Sequence, residues 1–234
     1  MDAFSKPKMT RLPHGGDLAT AEAVFGSPPQ GWLDLSTGIN PRPYDFGKVE
    51  AGAYSRLPQS QALYGLRAAA RNYYGAPNTE TVAVAPGTQA LIQWLPKLRD
   101  YSRVAVVGPT YGEHIHSWRS AGHFVTEISA PDQANADADV VVLVNPNNPD
   151  GTRYTCSDLE GPYRRLASRG GWMIIDEAFC DPLPALSQAP ECERNGLIIL
   201  RSFGKFFGLA GVRLGFALSH PSLAALLTQA LGPW

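Results

Sequence analysis

The run Val140-Val-Val-Leu-Val144 constrains the fold more than any other stretch of the chain. Five apolar, mostly β-branched residues without polar alternation predict a strand buried on both faces. Such a strand belongs in a parallel sheet covered by helices on either side. Short apolar runs recur at 104–107, 172–175 and 197–200, and Thr81-Val-Ala-Val84 and Phe124-Val-Thr-Glu-Ile128 read as further strands. Between them lie segments of helical period. Residues 59–74 set Leu63, Leu66, Ala69, Ala70 and Tyr73 on one face, and Gly75-Ala-Pro77 ends that helix. Further helices are expected from Thr88 to about residue 98, after Tyr111 to about residue 121, and over 157–169. Strands alternating with helices predict an α/β fold, a mostly parallel sheet with helices on both faces.

Residues able to carry chemistry stand where these strands end. The run 197–200 leads into Arg201-Ser-Phe-Gly-Lys-Phe-Phe-Gly-Leu-Ala-Gly-Val-Arg-Leu-Gly215, which brings Ser202, Lys205 and Arg213 into a glycine-rich loop. A lysine there is either an ordinary surface residue or an amine kept desolvated for imine chemistry with a carbonyl group. A P-loop is excluded, because Phe206 stands where Ser or Thr must follow the lysine. Asp176 closes the run 172–175 and is either a helix N-cap or a partly desolvated carboxylate in need of a cation. Asn145-Pro-Asn-Asn-Pro-Asp-Gly151 follows the run 140–144 and reads as a multiple turn or, at Asn148, as a ligand donor. Gly87-Thr-Gln89 opens a helix, whose free amides suit an anion, although many helices start this way. Tyr111 either packs over the core or offers its ring to a ligand. His114 and His116, two apart in a helix, face different sides, so no shared metal is expected.

Ser-x-x-Lys followed by Arg eight residues after the lysine resembles the cofactor motif of fold-type I pyridoxal-phosphate enzymes, the aspartate-aminotransferase superfamily. Gly87, Thr88, Gln89, Tyr111, Asn148, Asp176, Ser202, Lys205 and Arg213 occur in that family's order and at similar spacing. The resemblance covers about residues 30–220. It implies pyridoxal 5′-phosphate as cofactor, with Lys205 and Asp176 catalytic. Ser202 and Arg213 would hold its phosphate, Tyr111 would stack on the pyridine ring, and Asn148 would donate to the ring oxygen. Arginine suits a phosphate through its bidentate fork. His14-Gly-Gly-Asp17, Leu33-Asp-Leu-Ser-Thr-Gly-Ile-Asn-Pro41 and Arg56-Leu-Pro58 narrow the resemblance to the threonine-phosphate decarboxylases of cobalamin biosynthesis, cousins of histidinol-phosphate aminotransferase. This implies decarboxylation of L-threonine O-3-phosphate to (R)-1-amino-2-propanol O-2-phosphate, with His14, Ser36 and Asn40 toward the substrate. The alternatives are a class I/II aminotransferase such as histidinol-phosphate aminotransferase, or a fragment that binds the cofactor without turnover. Two positions depart from many relatives: Phe179 and Leu57 stand where a tyrosine is common.

No basic block marks the chain, whose net charge is −1, so neither nucleic acid nor an anionic membrane is an expected partner. Basic residues at 6, 8 and 11 precede no apolar stretch, which argues against a signal peptide, and no run of 18 apolar residues predicts a membrane span. A cytoplasmic location follows. Cysteines 156, 180 and 192 lack ligand spacing and read as free thiols, with no metal. The resemblance implies a homodimer. It also divides the chain into an arm (1–45), a cofactor-binding large domain (46–220) and the start of a connection (221–234) to a small domain. In the family that domain carries the arginine for the substrate carboxylate. No residue after Lys205 suits that role, so the chain is expected to be truncated and poorly active alone. Leu223, Leu226 and Leu227 are spaced for a helix in search of a partner.

Overall fold

The computed structural model describes residues 14–134 and 136–233; the basic residues at 6, 8 and 11 lie outside them. Two compact units divide between Gly38 and Ile39. Among its described residues the first contains one helix, α1 (Leu18–Phe25), capped by Asp17, whose carboxylate accepts from the Thr20 amide at 3.0 Å. Its two distinctive motifs meet. Gly16 N donates to Ser36 Oγ at 2.8 Å, and a side chain at residue 15 would bring its Cβ within 2.1 Å of the Ser36 carbonyl oxygen. Gly15 is therefore required by a close backbone approach.

The second unit is built on a seven-stranded sheet: β1 (Val82–Ala85), β2 (Arg103–Val107), β3 (Phe124–Ile128), β4 (Val140–Val144), β5 (Trp172–Asp176), β6 (Leu197–Ser202) and β7 (Gly215–Ser219). Their order across the sheet is β1-β7-β6-β5-β4-β2-β3. Pairs from β3 to β6 are parallel, while β7 lies antiparallel between β6 and β1. Every residue of β4 is buried, as the unbroken apolar run requires. Alternate residues serve two cores: Val141 and Leu143 point to one face, Val140 and Val142 to the other. Burying each such side chain stabilises the fold by about 1.5–3 kcal/mol.

Among the described residues six α-helices accompany the sheet: α2 (Gly52–Ser55), α3 (Ser60–Tyr74), α4 (Thr88–Trp94), α5 (Glu113–Ser120), α6 (Cys156–Ala167) and α7 (Pro221–Leu231). Ala70 and Tyr74 of α3 share a core with Leu159, Tyr163 and Leu166 of α6. On the opposite face Leu91 and Ile92 of α4, Trp118 of α5, and Ala224 and Leu227 of α7 form the second core. The expected inward face of α3 needs two corrections: Ala69 is exposed, because it lies a step round the helix from buried Ala70, and the tyrosines exchange roles. Tyr73 is 53% exposed and Tyr74 faces in, because its ring meets Phe216 at 5.7 Å and lies 4.4 Å under the Arg201 guanidinium. The helix from Thr88 is shorter than its pattern, since Pro96 turns residues 95–98 into a 3-10 segment. No helix among the described residues is long and apolar enough to cross a membrane.

Candidate active site

Strands β1, β2, β4, β5 and β6 run in one direction, so the loops after them gather at one edge of the sheet, where open α/β folds place ligands. Antiparallel β7 begins at that edge, with Gly215 opposite both Ser202 and Ala85. A Cβ at 215 would sit 2.5 Å from Thr88 N, so only glycine lets the start of α4 approach β7. Ser202, at the end of β6, is buried beside this junction.

Arg213 and Gly87 form the most constrained contact. Gly87 has φ +84° and ψ 156°, a conformation nearly confined to glycine, and a Cβ there would meet Arg213 Nη2 at 2.6 Å. Arg213 itself adopts φ 53°, the one non-glycine residue at positive φ among the described residues. That conformation costs about 1–2 kcal/mol for an L-residue. Its Nη1 donates to Ala210 O at 3.0 Å, which anchors the guanidinium over the Gly87 turn.

Asp176, the last residue of β5, is 4% exposed. Its Oδ1 accepts from the Ala178 amide at 3.0 Å, and its Oδ2 is 2.9 Å from His114 Nε2. Because the carboxylate accepts, this nitrogen of His114 carries the proton. Sequence reasoning missed His114: its partner is 62 residues away, and only the packing of α5 beside β5 brings them together.

Lys205 is held below the usual lysine pKa, chiefly by burial; Asp176 acts in the opposite direction and Arg213 in the same one. Its ammonium lies 5.6 Å from the centre of the Phe179 ring. The lysine loop is braced from residues 40–44. Asn40 N donates to Lys205 O at 3.0 Å, Asn40 Nδ2 to Phe206 O at 2.9 Å, and Tyr44 N to Phe207 O at 2.8 Å. Asn40 Oδ1 also accepts from Arg42 N, so the side chain proposed for the substrate has structural partners at both ends. Nothing in the sequence signals that contact across 166 residues.

Tyr111 is half-buried, and its hydroxyl is pushed above its ordinary pKa first by burial and then by Glu113 and Asp176. It donates to Gln89 Oε1 at 3.3 Å. The loops after β2 and β4 are tied by Thr110 Oγ1 donating to Asn147 Oδ1 at 2.7 Å. Asn145 is fully buried and clamps the turn through Tyr154, donating to its carbonyl and accepting from its amide, both at 2.9 Å. Asn148 stands exposed in the same turn. The site edge thus brings together Gly87, Thr88, Gln89, Tyr111, Asp176, Ser202, Lys205 and Arg213. His14 and Ser36 belong to the other unit, where the Ser36 hydroxyl donates to Asp34 Oδ1.

Behind the lysine loop, Arg201 donates to Glu177 Oε2 at 2.7 Å and to Asp181 Oδ1 at 2.9 Å, all three side chains being buried. Burial pushes Glu177 above the usual carboxylate pKa, against the pull of Arg201. The cluster fastens the 177–188 loop to β6, since Glu177 also accepts from Ser187 Oγ and Gln188 N.

A half-buried lysine and a buried aspartate beside an arginine-capped glycine turn, at the carboxyl edge of a mostly parallel sheet, define a large-domain scaffold of the aminotransferase kind. The chain belongs to the family "Aminotransferase class I and II", which matches residues 40–234. It is 49% identical over 225 residues to a threonine-phosphate decarboxylase of Pseudomonas aeruginosa, covering 95% of this chain and 66% of that protein. A threonine-phosphate decarboxylase of a Sinorhizobium species is 44% identical over 223 residues, covering 94% of this chain and 67% of that protein. The chain therefore spans about two thirds of the length of these relatives. The crystal structure of L-threonine-O-3-phosphate decarboxylase from Porphyromonas gingivalis shares the fold, with a TM-score of 0.64, 19% identity, and coverage of 77% of this chain and 59% of that one.

Proposed function

We propose that this chain is the cofactor-binding part of a pyridoxal-phosphate-dependent decarboxylase that converts L-threonine O-3-phosphate into (R)-1-amino-2-propanol O-2-phosphate for cobalamin biosynthesis. The observation that carries the cofactor is the fit of its three chemical ends to three places in one site. Arg213 over the Gly87 turn, where a Cβ would collide, leaves a cationic cradle for a phosphate, with the Ser202 hydroxyl nearby. Asp176 supplies a buried carboxylate for a protonated ring nitrogen. Lys205 supplies an amine whose pKa is lowered by burial, which favours the neutral form that attacks an aldehyde. The substrate assignment rests on the 49% identity to a protein of that name.

When bound, pyridoxal phosphate supplies the electron sink that accepts the electron pair of the bond to the departing carboxylate. The protein's residues do the rest. Asp176, oriented by His114 and the Ala178 amide, holds a proton at the ring nitrogen. Arg213 and Ser202 would hold the phosphate, and Asn148 would donate to the ring oxygen. Lys205 would hold the cofactor's aldehyde carbon and, with its amine free, would carry the proton that returns to the substrate Cα. Phe179 presents a ring rather than a hydroxyl toward Lys205 and adds no donor there.

Homodimerisation and a cytoplasmic location belong to the same reading. Tyr44, Phe46, Tyr54, Leu57 and Tyr64 are exposed along residues 44–64, a surface suited to a second copy. The three cysteines are free, which suits a reducing compartment. Borohydride reduction after addition of pyridoxal phosphate should label Lys205 in the mapped peptides. In a chain extended to the full length of its relatives, carboxyl-labelled threonine phosphate should lose its label as carbon dioxide. Transfer of the amino group to the cofactor would favour the aminotransferase reading instead, and a folded chain without a label on Lys205 would remove the cofactor assignment.

A further inference from the structure

Gln89 stands between two other side chains at the site edge. Its Nε2 donates to Glu113 Oε2 at 2.6 Å, and its Oε1 accepts from the Tyr111 hydroxyl at 3.3 Å. The direction of this relay follows from chemistry. A carboxylate only accepts, so Gln89 must turn its NH2 toward Glu113, which leaves its carbonyl facing Tyr111. Tyr111 is thereby made the donor, and its one hydroxyl proton goes to Gln89. Glu113 is 7% exposed and opens α5, while Gln89 lies in the first turn of α4 and Tyr111 in the loop after β2. A single amide therefore connects three separate elements.

We propose that Gln89 and Glu113 are positioning residues that set the plane of the Tyr111 ring against the cofactor, a role that rests on the pyridoxal-phosphate reading given above. A tyrosine ring fixed only at Cβ turns freely about χ2, whose well is broad. Fixing the hydroxyl as well holds the ring at both ends before any ligand arrives. The ordering cost is then met in folding and not in binding. Glu113 acts at one remove, by polarising and orienting the amide that Tyr111 meets. The reading also gives Gln89 a task for its side chain distinct from any contact its backbone makes with an anion.

The test is a swap of partners. Glu113→Gln removes the charge that orients Gln89, and Gln89→Glu sets two carboxylates face to face. The double variant rebuilds the relay with the roles exchanged: the new amide at position 113 donates to the new carboxylate at position 89, which still accepts from Tyr111. Each single variant should bind pyridoxal phosphate about ten-fold more weakly and lose visible circular dichroism per bound cofactor. The double variant should return to within about two-fold of the parent on both readouts. If Gln89→Glu does not fold, Gln89→Leu replaces it, with the same expected loss. A cofactor-independent readout is NMR of carbon-labelled tyrosine, with Tyr111→Phe for assignment; the single variants should shift the Tyr111 signal and the swap should restore it. Single variants with unchanged affinity and dichroism, or a double variant worse than either single, would overturn the positioning role. A chain that shows the tether by NMR but takes no cofactor on Lys205 would bring down the underlying reading, and this proposal with it.

Discussion

Gly87→Ala should separate folding from cofactor binding more cleanly than any substitution of a charged residue. At φ +84° and ψ 156° the backbone is in a region nearly confined to glycine, so alanine costs about 1–3 kcal/mol of stability. The new Cβ would also lie 2.6 Å from Arg213 Nη2, well inside contact distance. The guanidinium is the mobile partner and must move, taking with it the charge that caps the cradle. A charge-assisted hydrogen bond contributes about 1.5–3 kcal/mol, so its loss should weaken pyridoxal phosphate binding about ten- to a hundred-fold. Gly122→Ala provides the control, because Gly122 has φ +91° but nothing within 4 Å of its would-be Cβ. Urea unfolding should show both variants destabilised. Titration with pyridoxal phosphate, and with pyridoxal lacking the phosphate, should show a loss for Gly87→Ala alone, confined to the phosphorylated ligand. Wild-type affinity in folded Gly87→Ala, or an equal loss in Gly122→Ala, would refute the reasoning.

Lys205→Met should stabilise the cofactor-free chain at neutral pH, because Lys205 has a folded-state pKa below its unfolded value and binds its proton better when unfolded. The parent's melting temperature should climb toward the variant's as pH rises from the folded toward the unfolded lysine pKa, and parallel pH profiles would contradict this. Arg201→Ala leaves Glu177 and Asp181 buried without their cation and should cost about 3–5 kcal/mol in urea unfolding. Thiol titration at pH 8 should modify Cys156 rapidly in the folded protein and spare the buried pair. Burial pushes both Cys180 and Cys192 up to about 11, so rapid reaction of either would show an opened core.

Much of this architecture was legible because β2, β4, β5 and β6 are each built on a contiguous apolar run that needs no distant partner to be recognised. Asp176 and Lys205 were legible for the same reason, as polar residues just past such runs. Strand β7 was not. Gly215-Phe-Ala-Leu-Ser219 continues a glycine-rich stretch, and its strand character comes from pairing with Ser202 on one side and Ala85 on the other. His114 and Asn40 were equally hidden, because their roles depend on contacts set by packing. Tyr73 and Tyr74 show the limit of periodicity. Adjacent tyrosines near a helix end are distinguished only by what lies beneath them, here Phe216 and Arg201.

The antiparallel insertion of β7 also dictates an order of assembly. Strand β1 pairs in the sheet with β7, Val82 opposite Leu218, so its closure joins residues far apart in sequence. Strands β2 to β6 pair among themselves through nearer connections and are complete as soon as Ser202 has been made. On the ribosome β1 must therefore wait, unpaired, until the segment Gly215–Ser219 emerges, and long-range closure of this kind is slow. Gly87, which follows β1, and Arg213, which precedes β7, then come together in the same late step. The parallel half of the sheet, with its buried aspartate, can pair before β7 exists, and the contact between Arg213 and Gly87 has to wait for it.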